Sequence, residues 1–182
     1  MKKMLYPLWL ICCMAVLAAC GSNDDETDYA WKQANENAFN ALADSVATDA
    51  DFIKVSIPGG PGAVYCKKQN KADDVIGTDT AKYTDIVTVT YKGWLINGTV
   101  FEDATYIPMT FKIDGSAYTL PSGATGTGIS VISGWKIALQ NMREGERLRV
   151  WIPWDLAYGT SANGSIPAYS TLIFDIFLEK IY

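Results

Sequence analysis

A chain of 182 residues with 49% hydrophobic content can bury one core of ordinary domain size. Its net charge of -5 and isoelectric point near 4.7 argue against nucleic acid and anionic lipid head groups as partners. Histidine is absent, which removes Ser-His-Asp and Cys-His catalysis, a histidine zinc site and a histidine pH switch.

Lys2 and Lys3 precede an uncharged run from Met4 to Ala19, shorter than the roughly 20 residues of a membrane-spanning helix and suited to the apolar core of a secretory signal. The run ends Leu17-Ala18-Ala19-Cys20-Gly21, which resembles the bacterial lipobox. That resemblance implies a signal peptide over 1–19 and an acylated Cys20 that ties the protein to a membrane; cleavage by an ordinary signal peptidase after Ala19 is the alternative. Gly21 replaces the aspartate of the inner-membrane retention pattern, and Asp24-Asp25-Glu26 resembles the acidic export signal of surface lipoproteins. The expected location is therefore the cell envelope, on the outer membrane, facing the periplasm or the surface. Cys12 and Cys13 lie in the leader and Cys20 closes it, so Cys66 has no disulfide partner within the mature chain. Inside Val64-Tyr65-Cys66, and with no histidine to activate it, Cys66 reads as a small buried apolar residue.

Residues 20–28 are polar and acidic and read as a lipidated, flexible tether. From Tyr29 to about Ala47, Trp31, Ala34, Ala38, Phe39, Leu42 and Val46 recur at three-to-four spacing, which predicts an amphipathic helix within an N-terminal segment 29–57. Its apolar stripe docks either on its own domain or on another copy or protein. Pro58-Gly59-Gly60-Pro61-Gly62 breaks regular structure and marks the start of a globular domain, 58–182. Within it Val87-Val89-Tyr91, Leu148-Val150-Ile152 and Leu172-Phe174-Ile176-Leu178 alternate with polar or outward residues, predicting strands with one buried face each. A short helix follows Val131-Ile132-Ser133-Gly134-Trp135, runs to about Met142 and stops at Arg143-Glu144-Gly145. Several strands and one short helix make an α+β domain. The same alternation turns Trp151, Ile173 and Phe177 outward, a patch that the Trp31-Phe39-Leu42 face of the first helix is expected to cover.

The stretch VTVTYKGWLINGTVFEDA, with its inward tyrosine, its Asn97-Gly98 turn and a Phe followed by an acid, begins a recognisable series of motifs. VISGWKIALQNMREGERLRVWIPWDLAYG, Ile166-Pro167 and TLIFDIFLEKI continue it in order, from about Val64 to Ile181. The whole resembles the FKBP-type peptidyl-prolyl cis-trans isomerases. The resemblance implies an antiparallel sheet wrapped over one short helix and a proline pocket floored by Trp135. Its walls would be Tyr91, Phe101, Val131, Ile132, Ile166 and Phe174, with Tyr158 at the rim and Met109 as a further wall. The Ile132 backbone N–H and the Tyr158 hydroxyl would hold carbonyls of the bound peptide, and Glu102 would take part in a polar contact.

In this reading Tyr91, Phe101, Glu102, Trp135, Tyr158 and Phe174 are catalytic, and Met109, Val131, Ile132 and Ile166 bind substrate. The implied partners are proline-containing polypeptides, with no cofactor and no metal. Taken singly, Tyr91, Trp135 or Phe174 reads as a core aromatic; occurring together in the family order, they read as a pocket. Three features depart from the family pattern: Glu102 stands for an aspartate, Met109 for an aromatic, and Ser116 to Ser130 lengthens a link beside the pocket. Two other functions stay open, a non-catalytic peptide- or protein-binding lipoprotein and a structural surface lipoprotein.

Overall fold

The alternating stretches become strands of one six-stranded antiparallel sheet in a computed structural model that describes residues 23–182. In chain order the elements are helices α1 (Asn23–Asn40) and α2 (Leu42–Thr48), then strands β1 (Phe52–Ser56), β2 (Ala63–Lys68), β3 (Ile86–Leu95) and β4 (Val100–Lys112). A small ribbon of β5 (Tyr118–Thr119) and β6 (Thr125–Gly126) follows, then helix α3 (Ser133–Leu139), β7 (Arg147–Ile152), a 3-10 turn at Trp154–Leu156 and β8 (Leu172–Ile181). The large sheet runs β1-β2-β7-β8-β3-β4 and wraps α3, the α+β arrangement expected. The core lies between the sheet and α3, where Val87, Val89, Phe111, Ile137, Leu139, Val150, Ile152, Leu172 and Leu178 lose essentially all contact with water. Gly134 allows this approach: a methyl group there would collide with the Ile152 side chain.

Four details differ from the reading of the sequence. The sheet starts at Phe52, before Pro58-Gly62, and those prolines and glycines form the β1–β2 turn rather than a domain boundary. Five residues are too short for periodicity to reveal, yet Ile53 and Val55 pack inward while Phe52 packs outward. The single helix expected over 29–47 is two, broken at Ala41, and it begins at Asn23, inside the stretch read as a tether. The buried face of α1 is Trp31-Asn35-Phe39, with Ala34 and Ala38 exposed, because a polar partner for Asn35 outweighs the little that two alanines gain by burial. Finally, β3 lies between β4 and β8 and is covered on both faces over Val87–Tyr91; Thr88 and Thr90 are buried too, and Thr88 shares a 2.7 Å hydroxyl contact with Thr110.

The outward patch is covered by groups other than the expected helix face. Phe52 of β1 lies against Trp151 at 5.0 Å and the Arg147 guanidinium lies 3.6 Å over Phe177, while Phe39 of α1 packs, tilted by 55°, on the neighbouring Tyr65 at 4.9 Å. Leu42 is half-buried and Val46 exposed. Among the described residues no helix is long and apolar enough to cross a membrane. The leader, Cys20 and its acylation lie outside the described residues.

Candidate functional site

Strands β3, β4 and β8, helix α3 and the loops flanking it enclose a cavity of about 170 Å³ lined by Tyr91, Phe101, Glu102, Met109, Ile129, Ser130, Val131, Ile132, Trp135, Tyr158 and Phe174. Trp135 projects from α3 and is only 3% exposed. Its indole meets the ring edges of Tyr91 at 4.9 Å and Phe174 at 5.2 Å, both at 89°, and Phe101 stands 5.5 Å from Phe174 at 83°. Such edge-to-face packing fixes each ring through its neighbours, so the cavity is held open by mutually supporting aromatics. Gly93 makes room for the wall, since a methyl there would fall 2.5 Å from the Phe101 ring.

Alternation along β4 sends adjacent acids in opposite directions. Glu102 reaches the cavity and accepts a hydrogen bond from the Tyr91 hydroxyl at 2.5 Å, so its longer side chain still makes a contact with the inward tyrosine. Asp103 turns away and pairs with Lys92 at 2.7 Å; that hydrogen bond, helped by Thr105, holds its carboxyl down to about 2. Burial first, then the hydrogen bond and charge of Glu102 and the proximity of Tyr158, push the Tyr91 phenol well above its ordinary value. Tyr91 is therefore a neutral donor at physiological pH.

Tyr158 stands at the rim, 40% exposed, where the chain leaves the 3-10 turn. Ile132 caps α3; its carbonyl accepts from Trp135 N–H at 3.0 Å, while the N–H of a capping residue has no acceptor within its own helix. Of the ten nominated site residues in the mature domain, nine line this cavity. Ile166 does not: it is 6% exposed, packs into the core cluster and exchanges backbone hydrogen bonds with Asn163 at 2.9 and 3.0 Å.

Ile129 and Ser130 line the cavity without having been nominated. They end the long Ser116–Ser130 link, which folds back as the β5–β6 ribbon and is pinned to β4 by Tyr118 hydroxyl donation to the Thr110 carbonyl at 2.9 Å. Their adjacency to Val131 was the available signal. Larger clefts lie elsewhere. One of about 320 Å³ on the outer sheet face includes Trp94 and Phe177, whose rings already carry the Arg149 and Arg147 guanidiniums; another of about 470 Å³ near Asp79 and Glu144 is mostly polar. Neither gathers facing aromatic rings as the Trp135 cavity does. Among the described residues no group of three acids or cysteines is placed to hold a metal ion.

The model of a family described as FKBP-type peptidyl-prolyl cis-trans isomerase matches residues 77–179. The chain is 44% identical over 96 residues to a macrophage infectivity potentiator of Trypanosoma cruzi, which covers 51% of this chain and 41% of that protein. It is 37% identical over 106 residues to the FKBP-type peptidyl-prolyl cis-trans isomerase FkpA of Escherichia coli, covering 57% of this chain and 33% of FkpA. The chain thus matches less than half the length of these curated relatives. The crystal structure of FkpA from Escherichia coli superposes with a TM-score of 0.63 at 25% identity, over 88% of this chain and 65% of that one.

Proposed function

The chain belongs to the FKBP-type peptidyl-prolyl cis-trans isomerase family, and on that premise we propose that it catalyses isomerisation of X-Pro bonds held in the Trp135 cavity. The observation that carries this reading is the closed set of rings around Trp135, open to solvent at Tyr158. Rotation about a peptide bond must cross about 18–20 kcal/mol because it destroys amide resonance. Before proline the two isomers differ by only about 0.5–1 kcal/mol, so the task is kinetic. No bond to carbon is made or broken, and neither a nucleophile nor a histidine is required.

In the twisted transition state the amide nitrogen becomes pyramidal and the carbonyl less polar. An apolar cavity that takes the prolyl ring and sheds water disfavours the planar, polar ground state more than the twisted one. Trp135, Tyr91, Phe101 and Phe174 supply that surface, with Met109, Val131 and Ile132 completing the wall. The Tyr158 hydroxyl and the Ile132 N–H hold peptide carbonyls, so that one side of the amide turns while the other is fixed. Glu102 orients the Tyr91 phenol. The basic start, apolar run and Ala19-Cys20 junction support a lipid anchor at Cys20 and clients among exported or surface proteins.

A protease-coupled isomerisation assay tests the proposal. Turnover well above the spontaneous rate, lost in Trp135→Ala and reduced in Tyr158→Phe, supports it; a rate equal to the spontaneous one overturns it.

A further inference from the structure

Helix α1 carries a fully buried polar residue between Trp31 and Phe39 on its docked face, and its partners identify what it holds. The Asn35 side chain, 0% exposed, accepts the backbone N–H of Thr171 at 2.7 Å and donates to the Trp31 carbonyl at 2.8 Å. Thr171 returns a hydroxyl bond to the Asn35 carbonyl at 3.3 Å. A buried amide is tolerated only when its hydrogen bonds are made, and here one of them satisfies a main-chain N–H immediately before β8 begins.

The same helix grips both ends of the segment Trp154–Thr171. At the far end Glu36 accepts from the Trp154 indole at 3.2 Å, and beside Thr171 the Trp31 indole donates to Ser170 Oγ at 3.1 Å. Lys32 Nζ lies 5.3 Å from the Trp154 ring and 5.1 Å from the Tyr169 ring, and these two rings stand 5.3 Å apart. Tyr169 sits at φ 58°, a left-handed conformation that side chains seldom adopt unless their surroundings enforce it.

Tyr158 lies inside the segment so clamped. Gly159 N–H donates to the Trp154 carbonyl at 2.8 Å, and the Gly159 carbonyl accepts from Tyr169 N–H at 2.9 Å. The backbone next to Tyr158 is therefore one hydrogen bond from each of two residues that touch α1. We propose that Asn35 is a positioning residue: by fixing Thr171 it completes the clamp of α1 on Trp154–Thr171 and holds the Tyr158 hydroxyl at the cavity rim. This rests on the reading of Tyr158 as a substrate-binding group. It makes the N-terminal helix part of the site rather than a cover for the sheet alone.

The test compares the full-length protein with Asn35→Ala, Tyr158→Phe and the double variant, using isomerisation kinetics and amide hydrogen exchange. Asn35→Ala is expected to raise KM about three- to tenfold with a smaller change in kcat. It should speed exchange at Gly159 and Tyr169 while the β7 and β8 amides stay protected, and add little further to KM once Tyr158 is Phe. Equal losses in both backgrounds, or unchanged exchange at Gly159 and Tyr169, would overturn the proposal. If Asn35→Ala does not fold, Trp31→Phe, which keeps an aromatic side chain and removes the indole donor to Ser170, must give the same pattern in weaker form. A wild type without turnover or affinity for a proline peptide would remove the isomerase reading, and exchange at Gly159 and Tyr169 would then decide the positioning claim alone.

Discussion

Tyr91 and Glu102 face each other across neighbouring strands at the cavity wall, joined by a 2.5 Å hydrogen bond from phenol to carboxylate. The pairing ties the ring that braces Trp135 to the acid on β4. Glu102→Gln removes the charge but leaves the burial, so the Tyr91 phenol should fall from its raised value and remain above the ordinary 10.0. Ultraviolet titration of the tyrosines in both proteins measures this. Tyr91→Phe keeps the edge-to-face contact and should cost about 1 kcal/mol of stability, read from chemical denaturation.

Gly93 sets the width of the cavity. The methyl of Gly93→Ala would press on the Phe101 ring and, at 3.0 Å, on Phe174. Either the rings move into the cavity or the strand shifts. We expect kcat/KM to fall at least about tenfold and stability by about 1–3 kcal/mol. Parallel assays of turnover and melting check it, and full activity would show that the wall is softer than its packing implies.

Cys66 gives a pH dependence with a definite sign. Burial pushes its thiol from 9.0 up to about 12, so the folded state retains the proton after the unfolded chain has lost it. This contribution is fully present below pH 9.0 and is lost as the pH rises towards 12, with a slope of about 1.4 kcal/mol per pH unit in between. Cys66→Ala should lower stability at neutral pH but unfold less steeply with alkali. Denaturant midpoints at a series of pH values between 8 and 11 would show it, and equal slopes in the two proteins would contradict it.

Removing both N-terminal helices, so that the chain starts at Asp49, exposes the Tyr65 ring and strips Thr171 N–H of its acceptor. A loss of about 2–4 kcal/mol is expected, with a tendency to self-associate. Unchanged melting and monomeric sedimentation would mean that α1 contributes nothing to the domain.

Strands β3, β7 and β8 and helix α3 were legible from local signatures, alternation for Val87–Tyr91, Leu148–Ile152 and Leu172–Leu178 and a glycine–tryptophan start for α3. The nine cavity residues were legible through the family order of their motifs. Ile166 could not be separated from its neighbours in this way, since an apolar side chain in a loop can face either the cavity or the core, and here it faces the core. The clamp on Tyr158 was illegible for a different reason. Asn35 looks like a break in an apolar stripe until Thr171, 136 residues away, is seen to need its oxygen. Long-range polar pairing leaves no periodic trace.

The most direct test follows a proline-containing peptide by exchange-sensitive NMR, with and without a catalytic amount of protein. Wild-type protein should give cis–trans exchange far faster than the spontaneous tens of seconds to minutes, with shifts centred on the Trp135 indole and Tyr158, and both should be lost in Trp135→Ala at preserved fold. Spontaneous exchange in the presence of wild type, or shifts confined to surfaces away from Trp135, would contradict it.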